Sequence, residues 1–144
     1  MTGAPDIIKT ARGWIGTPYH HQAARRGIGC DCLGLVRGVY LEVTGSIPEV
    51  PPPYTPDWAE AAREETLIEA AARHLDQIKP SETAPGDVLI FRLSPAAMAK
   101  HAGVLVTQSR MVHAYSGRSV VEVHLGSWWR TRIAAAFRFP QIKD

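Results

Sequence analysis

Cysteine is scarce in this 144-residue chain: there are two, Cys30 and Cys32, one residue apart. At that spacing a mutual disulfide is strained, because the Cα separation and the S–S dihedral are hard to satisfy together, so both are read as free thiols. Long apolar runs are missing too. No stretch of about eighteen apolar residues occurs, and Met1 to Thr10 lacks a basic segment followed by an apolar run, so neither a membrane span nor a secretory signal is expected. Charge of one sign is also missing. Sixteen Lys and Arg against fourteen Asp and Glu leave +2, too small a surplus to argue for a nucleic-acid partner. Internal repeats and low-complexity tracts are absent. What remains is 45% hydrophobic and 21% charged, which excludes disorder, collagen-like repeats and coiled coil. The length fits one domain over 1–144, since single cores hold roughly 50 to 200 residues.

From Asp6 to Tyr19, Ile7, Ile8, Ala11, Trp14 and Ile15 recur at three- and four-residue intervals, predicting an amphipathic helix ended by Gly16 and Pro18. The polar, glycine-punctuated stretch with His20, His21, Arg25, Arg26, Gly27 and Gly29 reads as a loop. A second helix carries Cys32, Val36, Val39 and Val43 on one face, with Asp31 suited to its N-cap and Gly45 to its stop. Five prolines between Pro48 and Pro56 make a surface connection. A third helix is predicted from Thr55-Pro56-Asp57 to Leu75. After Pro85-Gly86-Asp87, β-prone runs alternate with turns: Val88 to Leu93, Ala102 to Thr107, Met111 to Tyr115, Val120 to Val123 and Ile133 to Phe139. Helices first and strands later predict an α+β fold, N-terminal helices packed on an antiparallel sheet of about five strands.

The two thiols and two of the histidines are the residues that can carry chemistry. Cys32 opens the second helix, where positive potential and unpaired N–H groups favour a thiolate. The same N–H groups can face an oxygen that gains charge during acyl transfer. His101 precedes a predicted strand and suits the base, with small neighbours Ala102 and Gly103 that let a helix approach closely. His113, on the next strand, suits a third group that orients the imidazole, more weakly than a carboxylate because it is neutral. Other readings stand beside this one. A cysteine at a helix start is commonly a small buried residue, and strand histidines are commonly half-buried polar groups. Cys30, Cys32, His101 and His113 also make a two-thiolate, two-imidazole zinc set, although Cys-x-Cys is not the usual knuckle spacing. His20, His21, Arg25 and Arg26 read as solvated, and Trp128 and Trp129 as core or interface anchors; each can alternatively line a substrate groove.

The order of motifs is more specific than any one of them. Gly16-Thr17-Pro18-Tyr19, Asp31-Cys32-Leu33-Gly34-Leu35-Val36, Pro85-Gly86-Asp87-Val88-Leu89, His101-Ala102-Gly103-Val104 and His113-Ala114 together resemble the NlpC family of bacterial cell-wall peptidases, a papain-like cysteine peptidase group. The resemblance spans about residues 7 to 139. It is strongest to short versions encoded by tailed phages and gene transfer agents, through Tyr54-Thr55-Pro56-Asp57-Trp58, Lys100-His101-Ala102-Gly103, and Trp128-Trp129-Arg130 through Ala136-Phe137-Arg138-Phe139-Pro140.

The resemblance implies a papain-like fold with Cys32 as nucleophile, His101 as base and His113 as the orienting residue. It implies hydrolysis of peptidoglycan stem peptides, typically between γ-D-glutamate and a diamino acid. Tyr19 matches a tyrosine near the substrate, and Asp31 an acid that in some members faces the stem's free amine. Structural roles for the same two residues are a cap on the first helix and a plain N-cap. Leu33 stands where many members carry Ser, and Cys30 is an added thiol, read as a small buried residue or as a trap for an oxidised Cys32. Acyl transfer of this kind needs no cofactor and no metal, and neither a nucleic acid nor a membrane is an expected partner. The expected partners are the peptidoglycan stem peptide and tail or baseplate proteins of a phage-like particle, made in the bacterial cytoplasm without a signal peptide. The rival is a docking protein of such a tail with a vestigial site. Rapid alkylation of Cys32 near neutral pH is the expected mark of the enzyme, and sluggish alkylation that of the docking protein.

Overall fold

The computed structural model describes residues 3–46, 66–95, 99–115 and 117–140. Helix α1 (Ala4–Gly13) starts with Pro5 in its first turn and buries Ile7 and Ala11. It stops earlier than its apolar stripe suggests: Trp14 is its C-cap, and Gly16 takes φ 93°, a left-handed conformation that turns the chain away. The stretch predicted as loop contains a small antiparallel ribbon, β1 (Ala24–Arg25) and β2 (Gly29–Cys30), too short to leave a periodic trace in sequence. Helix α2 (Cys32–Thr44) has the predicted ends. The Asp31 carboxylate accepts from the Gly34 N–H at its start, and Gly45 at φ 75° closes it by donating its N–H to the Leu41 carbonyl.

Helix α3 (Thr66–His74) is the described part of the third predicted helix; the predicted start at Thr55–Asp57 lies outside the described residues, as do the proline-rich connection and Tyr54. Then follow β3 (Asp76–Ile78), a 3-10 turn at Pro80–Glu82, β4 (Val88–Phe91), β5 (His101–Thr107), β6 (Arg110–His113), β7 (Val121–His124), the short helix α4 (Ser127–Arg130) and β8 (Ile133–Arg138). The sheet has six strands in the order β3-β8-β4-β5-β6-β7, every pair antiparallel. The extra strand is β3, polar enough to escape a hydrophobic-run search. Strands β4 to β7 form a meander, while β8 returns across the sheet to pair with β4.

Alternation along β4 explains the two cores. Val88 and Ile90 face the helical layer with Ala102 and Val104 of β5, against Ile7, Ala11 and Trp14 of α1 and Leu35 and Val39 of α2. Leu89 and Phe91 face the other way with Leu105, Met111 and Leu125, and Trp129 of α4 packs onto that second cluster. Asp87, almost fully buried before β4, receives a two-pronged ion pair from Arg138 of β8, both N–H···O distances 2.9 Å. No described helix is long and apolar enough to cross a membrane.

Candidate active site

The polar bonds around α2 begin with its N-cap. The Asp31 carboxylate accepts from Gly34 N–H (2.7 Å) through Oδ1 and from Gln22 N–H (2.8 Å) through Oδ2. It therefore ties the helix start to a residue held at φ 64°, unusual for a non-glycine. Asp31 is buried in this role. Cys30 N–H donates to Pro18 O and His20 N–H to Cys30 O, bridging Tyr19 to Cys30, so Tyr19 comes to the thiols instead of capping α1.

Strand β6 ends opposite Gly103, and β5 continues beyond it to His101. The first residues of β5 thus have no strand partner on that side, and Cys32 fills the place. Its thiol donates to the Lys100 carbonyl (3.4 Å) and its sulfur accepts from the Ala102 N–H. The sulfur is seated against the main chain on both sides of His101. Cys32 remains partly exposed, while Cys30 is fully buried in the core.

His101 and His113 lie on one face of the sheet, since His113 pairs with Gly103 and His101 is two residues along. The diagonal is spanned by a hydrogen bond of 2.8 Å between His101 Nε2 and His113 Nδ1. With Nε2 engaged, Nδ1 of His101 is the nitrogen left to accept a thiol proton; His101 then carries its hydrogen on Nε2 and donates it to His113. Both imidazoles are nearly closed to water, with exposures of 6% and 3%. Gly103 faces the same side. A Cβ there would meet Met111 Sδ at 2.9 Å and His113 Cβ at 3.3 Å, so this glycine makes room for β6 and His113. Of the two small residues predicted to admit a helix, only Ala102 faces the helical layer.

The electrostatics correct the expectation of a ready thiolate. Burial pushes the Cys32 thiol up to about 12, and the Asp31 carboxylate adds to the rise; the Ala102 and Leu33 N–H groups pull the other way and lose. The cap that starts the helix thereby offsets the helix's own positive end. Cys30 and Tyr19 are likewise raised to about 12, mainly by burial. Burial lowers His101 to about 3, with His113 contributing, and lowers His113 to about 4. The resting pair is a neutral thiol beside a neutral imidazole.

Sequence reasoning missed the aromatic wall over the imidazoles, made by Phe91, Tyr115 and Trp129. A signal existed for Tyr115, because strand alternation puts it on the face of Met111 and His113. Trp129, read as a core or interface anchor, packs in the second core and also on the histidines. Among the described residues no group of three or more His, Cys, Asp or Glu is arranged to hold a metal ion. The alternative zinc set fails for a visible reason: His101 Nε2 and His113 Nδ1 are spent on each other, and Cys30 faces the core. A polar surface groove lined by Asp6, Lys9, Thr10, Arg26, Glu42 and Val43 lies at the other end of α2 from Cys32.

Comparison with known proteins identifies the family and agrees with the fold. The model of the NlpC/P60 family matches residues 16–138. The γ-DL-glutamyl hydrolase of Bacillus subtilis (strain 168) is 23% identical over 137 residues, which is 94% of this chain but 29% of that protein's length. The crystal structure of the NlpC/p60 domain of the peptidoglycan hydrolase SagA is similar at TM-score 0.67 and 24% identity, covering 96% of this chain and 100% of that one. An NlpC/P60 family protein from Bacillus cereus is similar at TM-score 0.70 and 20% identity, covering 96% of this chain and 40% of that one.

Proposed function

The chain belongs to the NlpC/P60 family, and from that premise we propose that it is a cysteine peptidase that hydrolyses peptidoglycan stem peptides at the bond between γ-D-glutamate and the diamino acid. The observation that carries this reading is the seat of the Cys32 sulfur between the Lys100 carbonyl and the Ala102 N–H, on either side of an imidazole whose far nitrogen is bonded to His113. The name of the B. subtilis relative, a γ-DL-glutamyl hydrolase, supports the bond assignment.

In the proposed reaction His101 Nδ1 takes the Cys32 proton as the sulfur attacks the amide carbonyl, since neither group is charged beforehand. The resulting imidazolium donates from Nε2 to His113. The Cys32 N–H, in the first helical turn and without an intrahelical acceptor, supports the oxyanion. His101 then protonates the leaving amine, and water, activated by the same nitrogen, hydrolyses the thioester. Tyr19 and Asp31 border the nucleophile as substrate-binding candidates. Tyr19 is half-buried beside the thiols, and Asp31, buried with both oxygens held by backbone N–H groups, would act on a stem's free amine through its charge.

Defined muropeptides digested with the wild type and with Cys32→Ala test the reading. Mass spectrometry is expected to find cleavage at the γ-glutamyl bond with the first and none with the second; equal release by both removes the proposal. Because the resting thiol is held protonated, product release rather than alkylation rate separates an enzyme from a docking protein.

We further propose that the peptidase works from the tail or baseplate of a phage-like particle, assembled in the bacterial cytoplasm. The motif segments Tyr54–Trp58, Lys100–Gly103 and Trp128–Pro140 support it by their resemblance to tail-associated members. Trp128, 49% exposed with the Arg132 guanidinium 3.9 Å over its ring, supplies an aromatic anchor for a neighbouring protein. Particles purified from a producing strain should contain the chain in fixed proportion to tail proteins; its absence from them ends this part of the proposal.

A further inference from the structure

The indole of Trp129 touches both histidines. It lies nearly parallel to the His101 ring (centroids 5.5 Å, 27° between planes) and edge-on to His113 (5.2 Å, 83°). Phe91 and Tyr115 complete the enclosure, their centroids 5.0 and 6.2 Å from the indole. Trp129 is fixed in turn. Its helix α4 is only four residues long, but Arg130 donates to the carbonyls of Leu125 and Gln108, and Arg132 to those of Leu93 and Trp128. Of these four bonds, three tie α4 and the residues after it to the β5–β6 turn, to Leu125 after β7 and to the end of β4.

We propose that Trp129 is a positioning residue of this site: its flat face fixes the plane of the His101 ring, and with it the direction of Nδ1, the nitrogen that takes the Cys32 proton in the proposed reaction, and its bulk keeps water from the His101–His113 hydrogen bond. This rests on the peptidase reading and deepens it. A tilt of the ring misaims a proton transfer that has to occur together with attack, and small misplacements of such groups cost up to about 100-fold in rate. The titratable groups that bear on His101 are His113 from β6 and Tyr115 beyond it, while the Cys32 thiol from α2, with Asp31 and Tyr19 behind it, is held against the main chain of Lys100 and Ala102 on either side. None of them lies on α4, so replacing Trp129 changes the hydration of His101 without removing a charge that faces it.

The test compares wild type with Trp129→Phe, Trp129→Leu and Trp129→Ala, by steady-state cleavage of a defined muropeptide and by NMR titration of the histidine ring protons. Trp129→Ala is expected to lose about 10- to 100-fold in kcat with KM within about twofold. In the same variant the acid limb of kcat/KM and the His101 titration should move up in pH toward the ordinary range. Trp129→Phe should restore most of kcat. Should the alanine variant not fold, Trp129→Leu keeps apolar volume without a flat ring and is expected to show the same loss. Wild-type kcat with an unmoved His101 titration in the leucine or alanine variant overturns the proposal, and so does a loss confined to KM. If the wild type cleaves no muropeptide, the peptidase reading fails, and the titration still judges whether Trp129 governs His101.

Discussion

At the scale of the residue, Asp31 does two opposed things. As the N-cap it organises the helix that presents the nucleophile, and as an anion beside the sulfur it opposes the thiolate. Asp31→Asn separates the two. The amide can still accept from Gly34 N–H, but it turns a donor toward the Gln22 N–H, so a stability loss of about 1 kcal/mol is expected. Removing the charge lowers the Cys32 pKa, and below that pKa the thiolate fraction rises tenfold for each unit. Iodoacetamide labelling of Cys32 between pH 7 and 9 should therefore be faster in Asp31→Asn than in wild type. A rate unchanged or slower would show that Asp31 does not govern the thiol. Sequence reasoning put Cys32 at a helix start and His101 and His113 on adjacent strands, as the structure has them, because such elements leave clear one-dimensional marks. The direction of the thiol's shift was not legible, because it depends on how deeply the fold buries the sulfur and on where a capping carboxylate ends up. The backbone N–H of Leu33 at the helix start, which is legible, pulls less than burial and that carboxylate push.

At the scale of the element, the position of α2 is set by two glycines on the faces it turns to its neighbours. A Cβ on Gly38 would run into the Trp14 ring of the α1 C-cap, and one on Gly34 into the Ala23 carbonyl of the ribbon. Trp14 has little room to yield, being 2% exposed with its Nε1–H bonded to Glu42 at 2.6 Å. Gly38→Ala gains up to about 1 kcal/mol of helix propensity. Overpacking against a fixed indole costs about 1–3 kcal/mol and should win. Urea denaturation is expected to show net destabilisation, and a neutral or stabilised variant would mean that α2 is free to shift. These contacts also mark where the elements were hard to foresee. The ends of α2 were legible because Asp31 and Gly45 are strong local signals. The end of α1 was not, because the apolar stripe continues through Trp14 and Ile15 while the positive φ at Gly16 depends on the tertiary path: its N–H donates to the Val120 carbonyl. Strand β3 escaped for a similar reason. Asp76-Gln77-Ile78 has no apolar run, and its pairing with Ala136 to Arg138 of β8 is what makes it a strand.

At the scale of the whole molecule, the histidine pair is buried on the sheet face of the second core, so folding and proton binding are linked there. Both imidazoles are depressed in the folded state, His101 to about 3 and His113 to about 4, against an unfolded value near 6.5. The unfolded chain thus binds these protons first as pH falls. The stability they contribute is fully present above about pH 6.5 and is lost progressively as pH drops from there toward 4 and 3. Glu122, paired with Arg12 and Arg110, is held below the usual carboxylate range and so enters only late in this window. Melting temperatures measured from pH 7.5 to pH 5 for wild type and for the double variant His101→Gln, His113→Gln isolate the histidine contribution, because the remaining groups titrate alike in both. Wild type is expected to lose stability over this range more steeply than the double variant. Parallel curves would mean that the imidazole pair exchanges protons with solvent in the folded state, and the closed, neutral site from which the proton transfer is derived would have to be abandoned.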